Sequence, residues 1–405
     1  MKTLKRIIKI IFFLFLALCA GLALFIGGLW LENKSPLTLP SPTGNYSVGR
    51  TEYDWVDPAR TDALADQPGL PRELAVWVWY PGEANPAAHA QAQAPYLPAN
   101  WVQARDKDQG IGRLIEHEFT GIITHSYTGL APAGAQAAYP VLVMQPGMGP
   151  MASDYTVFAE NLASHGYIVV GINQTDTSNI IVFPDGRVVP RTANGTIPDS
   201  DSPEAAQVDG NRIMGVWKQD VLFVLDQLDK MNADSSSPFY QRLDLAHTGI
   251  FGHSFGGATA FAVCQEDARC KAGANLDGDP FGSEMNAAVT QPFLFLTEDY
   301  PQGCETAPNC APMLDMLRLV NPGPAYFLEV SGAKHFNFTD LLFRQVGLVR
   351  PLFTWAGYGG AIDPQRGLQI SNAYLAAFFD KYLKGSDNGL LAGPSAGYPE
   401  VQFIR

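Results

Sequence analysis

The stretch GIFGHSFGGATAFA, residues 249–262, restricts the fold more than any other part of the chain. Ile250 and Phe251 read as the end of a buried strand, and Gly256 to Ala262 as the start of a helix lined with small residues. Ser254 sits between them in a Gly-x-Ser-x-Gly frame. A sharp strand-to-helix turn of this kind lifts the serine hydroxyl above a sheet, and side chains at Gly252 and Gly256 would collide there. Helix propensity alone would not place Gly256 and Gly257 at a helix start. A second match, Gly393 to Gly397 around Ser395, lacks this context. No strand precedes it, Pro394 removes a donor, and Tyr398-Pro399 opposes a following helix.

A serine of ordinary acidity needs a base, and the base needs an orienting acid. In a strand–elbow–helix chain the order is serine, acid, histidine. His335, in SGAKHFNFTD, is the single histidine after Ser254. His253 lies inside the elbow, where its side chain points away from the hydroxyl, and reads as structural. The acid is open at this level: Asp277 and Asp279 follow one strand, and Glu298 and Asp299 end the next. The oxyanion calls for two backbone donors. Phe255, which follows the nucleophile, supplies one, and the loop MQPGMGPM (144–151) offers Met148 as the other.

Around this centre, strands and helices alternate. Apolar strand-like runs stand at 72–81, 139–146, 167–173, 247–252, 271–277, 292–299 and 325–332. Helical patterns stand at 153–166, with Tyr155, Phe158 and Leu162 on one face, at 211–231, with Ile213, Trp217, Val221, Val224 and Leu228 in one stripe, and at 371–385, with Ser371 as its cap and Gly385 as its stop. Near-continuous apolar strands alternating with helices predict a mainly parallel sheet covered on both faces. Two long irregular stretches, 91–140 and 175–209, are expected to crown the edge where ligands bind. The run 341–359 after His335 is heavily apolar; core packing is the plain reading, and lining of an acyl pocket or contact with lipid is the alternative.

The N-terminus is a separate unit. Lys2, Lys5, Arg6 and Lys9 precede an uncharged run from Ile10 to Leu31, about 33 Å as a helix and long enough to cross a hydrocarbon core. An uncleaved transmembrane anchor is expected, with a cleaved signal as the alternative, and the positive flank places the bulk of the chain outside the cytoplasm. The expected organisation is a basic tail at 1–9, an anchor at 10–31, a linker at 32–45, a catalytic domain at 46–385 and a tail at 386–405. Net charge is −13. Without the four cations of the tail, 23 basic residues face 40 acidic ones, a charge of −17. Such a surface repels nucleic acid and anionic lipid. Export makes disulfides plausible, and Cys264 with Cys270 and Cys304 with Cys310 form two equally spaced pairs, although four cysteines allow three connectivities.

Two rival motifs are weaker. Gly147 to Ala152 matches the G-x-G-x-x-A dinucleotide fingerprint, with Asp176 as a distant ribose-binding acid, but the strand before it is not the first of the sheet. His117-Glu118 has no second histidine at zinc-protease spacing. No cofactor or metal is expected.

With these residues assembled, the sequence resembles the plasma/type II platelet-activating factor acetylhydrolase family of α/β-hydrolases. GHSFGGAT (252–259) is similar to that family's elbow, QPFLFLTEDY (291–300) to its strand after the acid, SGAKHFNFTD (331–340) to its histidine loop and ISNAYLAAFFDKYL (370–383) to its terminal helix. The resemblance implies an α/β-hydrolase fold, Asp277 as the acid and Met148 in the oxyanion loop. That loop usually begins Ser-His-Gly in the family; here it is Gln145-Pro146-Gly147. The implied activity is a serine carboxylic-ester hydrolase working through an acyl-enzyme on short-chain or modified acyl esters, such as phospholipids like platelet-activating factor. A general esterase or polyester hydrolase is the alternative, and a non-catalytic binding protein on the same scaffold is the alternative of another class.

Overall fold

A parallel strand pair needs a crossover, and crossovers coat both faces of the sheet with helices. The computed structural model, which describes residues 2–83, 93–198, 203–280, 287–308 and 310–405, is built on that rule. Its main elements are α1 (Lys2–Asn33), β1 (Ser47–Thr61), β2 (Pro71–Gly82), β3 (Ser126–Thr128), β4 (Tyr139–Gln145), α2 (Thr156–Ser164), β5 (Ile168–Asn173), α3 (Pro203–Ala233) and β6 (Leu243–His253). They continue with α4 (Phe255–Glu266), β7 (Cys270–Leu276), β8 (Phe293–Thr297), β9 (Ala325–Val330), α5 (Arg350–Trp355), α6 (Pro364–Leu383) and β10 (Val401–Phe403). One sheet orders the strands β10-β9-β8-β7-β6-β4-β5-β2-β1-β3. Its centre, β5 through β9, is parallel. The β1–β2 hairpin and β10 close the two sides with antiparallel pairings.

Alternation along β4 explains the layers. Leu142 and Met144 face a core shared with α2 and α6, while Val141 and Val143 face one shared with α3 and α4. The α3 stripe Ile213, Trp217, Val221, Val224 and Leu228 is fully buried. Burial of each such side chain stabilises the fold by about 1.5–3 kcal/mol. The chain runs β4 to β5 in one direction and β6 to β9 in the other. The reversal between β4 and β6 leaves a crevice at the carboxyl ends of the strands, where ligands bind in open α/β sheets.

Several boundaries differ from the sequence reading. Helix α6 begins at Pro364, not Ser371. Asp363 caps it by accepting from Arg366 N–H at 3.1 Å, and proline is favoured at a first helical position. Ser371 lies inside the helix and its hydroxyl donates back to Gly367 O. The polar start of α3 precedes the apolar stripe, so the helix begins earlier than 211. The segment expected as a tail past 385 carries β10, which extends the sheet beside β9. Residues 32–45, read as a linker, are bound to the domain: Leu37–Thr38 pairs with Ile122–Ile123, and Thr43 donates twice to Asn161 Oδ1. Residues 91–92 and 199–202 of the irregular stretches lie outside the described residues. The structure joins Cys264 to Cys270 and Cys304 to Cys310.

Candidate active site

Three chain segments meet at the carboxyl edge of the central strands. The first is the elbow. Ser254 has φ 55° and ψ −128°, a conformation that costs a non-glycine residue about 1–3 kcal/mol. Two features offset that cost. Ser254 N–H donates to Leu276 O at 2.9 Å, and its carbonyl accepts from Gly257 and Ala258 at the start of α4. The close approach excludes side chains: a methyl on Gly252 would lie 2.4 Å from the Gly256 backbone, and one on Gly256 would lie 2.3 Å from the carbonyls of Gln145 and Pro146. Ser395, in the second Gly-x-Ser-x-Gly frame, lies in a loop between Leu390–Ala392 and β10, far along the chain from any elbow.

The second segment follows β7. Asp277 is buried, with φ 53°. Its Oδ1 accepts from Thr297 Oγ1 at 2.8 Å and from Glu298 N–H at 2.9 Å. Its Oδ2 lies 2.6 Å from His335 Nδ1. Burial alone would raise this carboxyl, but the His335 bond and charge and the two other donors hold it below the usual carboxylate range.

His335 begins a short turn after β9. Burial pulls its pKa down, yet the hydrogen bond and charge of Asp277, then Glu298 and Asp279, outweigh that and place it above the ordinary imidazole value. The candidate acids thus separate by geometry. Glu298 accepts from the backbone N–H of His335 at 3.1 Å and pairs with Lys334, so it holds the loop and not the ring. Asp299 accepts from Gly332 N–H at 2.7 Å. Asp277 alone among the four carboxylates bonds the imidazole.

A buried pair that sequence reasoning missed in part joins these segments. Tyr155 Oη accepts from Gly147 N–H at 2.9 Å and lies 2.9 Å from His253 Nδ1. His253 Nε2 lies 3.0 Å from the carbonyl oxygen of His335. A carbonyl only accepts, so Nε2 carries the proton, Nδ1 accepts, and Tyr155 donates to it. Burial first, and the facing His335 ring second, push His253 down to about 3, so the ring stays neutral. His253 was legible as structural; Tyr155 was legible only as an apolar face residue of a helix.

The third segment is the 146–151 loop. A methyl on Gly147 would lie 3.2 Å from Ser254 Cβ, so this loop abuts the elbow. Met148 N–H has no acceptor among the described residues, whereas its neighbours are engaged. Gly149 N–H donates to Thr177 O, Met151 N–H to Asp154 Oδ2 and Ala152 N–H to Asn173 Oδ1. These bonds also bear on the dinucleotide motif, because the amides of Gly147, Gly149, Met151 and Ala152 are taken by the chain itself. Asp176 is buried 3.6 Å from Arg72 and is not placed for a ribose. The start of the 175–209 stretch packs against this loop: Asn179 N–H donates to Gly149 O, and Gln174 Nε2 to Gln145 Oε1 at 2.7 Å.

The arrangement orients an imidazole on a buried carboxylate, bonds its loop to the residue before a strained serine, and leaves the Met148 amide without an acceptor among the described residues. That is the chemistry of acyl transfer. Comparison with known proteins points the same way. A family model described as platelet-activating factor acetylhydrolase, isoform II, matches residues 32–191 and 223–389. A probable 1-alkyl-2-acetylglycerophosphocholine esterase of Arthroderma benhamiae is 27% identical over 399 residues, covering 91% of this chain and 94% of its own. A platelet-activating factor acetylhydrolase of Cavia porcellus is 23% identical over 385 residues, covering 85% and 78%. Among solved structures, a ferulic acid esterase from Streptomyces cinnamoneus superposes with a TM-score of 0.74 at 27% identity, over 92% of this chain and all of that one.

Proposed function

The chain belongs to the platelet-activating factor acetylhydrolase, isoform II, family and is a serine carboxylic-ester hydrolase, and we propose that it works through Ser254, His335 and Asp277 on lipid esters with short or modified acyl chains. The observation that carries the residue assignment is the 2.6 Å bond between His335 Nδ1 and Asp277 Oδ2, with the His335 carbonyl bonded to His253, the residue before the strained Ser254.

In this reading Ser254 Oγ attacks the ester carbonyl and its proton passes to His335 Nε2. Asp277 keeps Nδ1 protonated and stabilises the imidazolium. The tetrahedral oxyanion is held by the N–H groups of Met148 and Phe255, each worth about 3 kcal/mol in the transition state. His335 returns the proton to the leaving alcohol, which departs and leaves Ser254 acylated. Water then attacks the acyl-enzyme, giving its proton to His335, and the acid leaves with Ser254 restored.

The names of the relatives support alkyl-acetyl phospholipids as the substrate class, and the ferulic acid esterase neighbour favours a second reading as an esterase of broader range. Helix α1 supports a membrane location: its most apolar 18-residue window, within Thr3–Asn33, has a mean hydropathy of 2.8. Its cationic start fits a cytoplasmic N-terminus with the catalytic domain outside. A p-nitrophenyl ester series from C2 to C16, run beside phospholipids with acetyl and long sn-2 chains, tests the substrate. The phospholipid reading requires hydrolysis of the acetyl form well above the long-chain form; turnover of dissolved esters alone would favour the broader esterase.

A further inference from the structure

The carboxyl end of α1 does not leave the domain on a free tether. Glu32 Oε1 accepts from Gly347 N–H at 2.5 Å and Oε2 from Leu348 N–H at 3.4 Å. Asn33 Nδ2 donates to the carbonyls of Arg113 and Glu116, at 2.9 and 2.5 Å, and Asn33 O accepts from Glu118 N–H. Lys34 pairs with Glu118 at 2.7 Å. Leu29 is buried in a small core with Val346 and Val349, and a methyl on Gly28 would lie 3.1 Å from Leu348 Cδ1. A secretion signal removed on export has no use for these contacts.

The contacts also fix a depth. The uncharged run ends at Leu31, so about 33 Å of helix from Ile10 spans the hydrocarbon and Leu31 stands at its outer boundary. Gly28 lies three residues, about 4.5 Å, inside that boundary. Leu348, packed on Gly28, is therefore held at the level of the lipid. Helix α5 starts two residues later, at Arg350, and has no buried residue of its own. Leu352 is 60% exposed, Trp355 84% and Tyr358 56%, and Leu352 and Trp355, three residues apart, share one face of α5. The domain's charge of −17 argues against electrostatic attraction to anionic lipid, so contact must be apolar. Trp30, Trp355 and Tyr358 have the amphipathic rings that settle at a membrane interface. From this face a line of rings reaches the site: Tyr358 to Phe336, centroids 6.2 Å apart, and Phe336 to His335, 5.4 Å.

We propose that α1 is a retained anchor clamped rigidly to the catalytic domain through Glu32, Asn33 and Leu29, and that the clamp seats Leu348 and the Leu352–Trp355 face of α5 in the outer lipid interface, beside the histidine loop. The inference rests on α1 being an anchor and deepens the lipid-ester reading, since substrate then enters from the bilayer and not from water.

The test uses the full chain in phosphatidylcholine vesicles with Cys19→Ser as background. Trp355→Cys carries an environment-sensitive fluorophore, and Tyr240→Cys is the control on an exposed residue. The expected result is a blue-shifted probe at 355, quenched by lipids brominated near the headgroup, with the probe at 240 in water. Gly28→Cys with Leu348→Cys is expected to cross-link on oxidation. Leu352→Asp with Trp355→Asp is expected to lower the ratio of turnover on vesicle-borne acetyl phospholipid to turnover on dissolved p-nitrophenyl acetate by about tenfold or more. A water-exposed probe at 355, no cross-link, or an isolated chain lacking α1 would each overturn the proposal. Turnover of p-nitrophenyl acetate reports separately on the hydrolase reading, so loss of both substrates in the parent chain marks failure there and not at the clamp.

Discussion

His253 Nε2 lies 3.0 Å from the carbonyl oxygen of His335, and the two rings are 4.5 Å apart between centroids. The residue before the proposed nucleophile is thus bonded to the residue proposed as its base. Because Tyr155 Oη bonds both His253 and Gly147, one buried pair sets the spacing of elbow, histidine loop and oxyanion loop. With Gln145-Pro146 in place of the family's Ser-His, Tyr155 supports Gly147 from beneath.

Tyr155→Phe removes one hydroxyl and two bonds while keeping the ring. Each such bond is worth about 1 kcal/mol net, so kcat is expected to fall by about 10- to 30-fold. KM should change by less than about twofold, because the hydroxyl acts on positioning and not on substrate. Steady-state kinetics check this; unchanged kcat would remove the pair from the account.

The pH profile follows from the Asp277–His335 bond. The base is active as neutral imidazole, and its pKa lies above 6.5, so kcat/KM is expected to rise with pH through a midpoint above that value. In Asp277→Asn the raising bond and charge are gone and burial remains, so the midpoint moves to lower pH. The rate falls about 10⁴-fold as the tautomer is lost. The same bond contributes stability that is full below the unfolded imidazole pKa and is lost as pH rises through the folded one. Rate profiles of both proteins decide it.

Glu298→Gln separates charge from backbone support. The amide oxygen still accepts from His335 N–H, but one of the charges that raises the imidazole is removed. The acid limb of kcat/KM is expected to shift to lower pH by less than in Asp277→Asn, with kcat at the plateau within about threefold. A profile identical to the parent would show that Glu298 is not felt by the ring.

Arg72 is the buried tie between β2 and α3. It donates to Asp220 through Nε and Nη2 and to Asp62 through Nη1 at 2.9 Å. Arg72→Met leaves both carboxylates buried with less compensation, and a loss of about 3–5 kcal/mol is expected. Arg72→Met with Asp220→Leu should recover much of it, since an apolar pair can replace a buried ion pair. Denaturant unfolding of the three proteins measures the difference.

The central layers were legible because burial on both faces leaves a signal in every strand from 139 to 330. The edges were not. β1 alternates charged and aromatic residues, with exposed Glu52 and Asp54 interrupting the run, because one side of that hairpin meets solvent. β10 has three residues, too few to carry a period. The start of α6 was hidden because Asp363-Pro364 precedes the apolar stripe that marked the helix. The proposals for Ser254 and His335 come from a turn and a chain order that the sequence carries. The choice of Asp277 over Glu298 came from family resemblance, since both carboxylates follow strand ends and only the fold decides which meets the ring. The positioning role of Tyr155 left no mark, because a tyrosine on the face of a helical pattern reads as packing until its hydroxyl is seen between two loops.

The most direct test is to treat the protein with a fluorophosphonate and locate the adduct by peptide mass. The account predicts one adduct, on Ser254, with loss of ester hydrolysis in proportion to labelling, and neither adduct nor activity in Ser254→Ala. An adduct on Ser395 or elsewhere, or hydrolysis that survives Ser254→Ala undiminished, would contradict it.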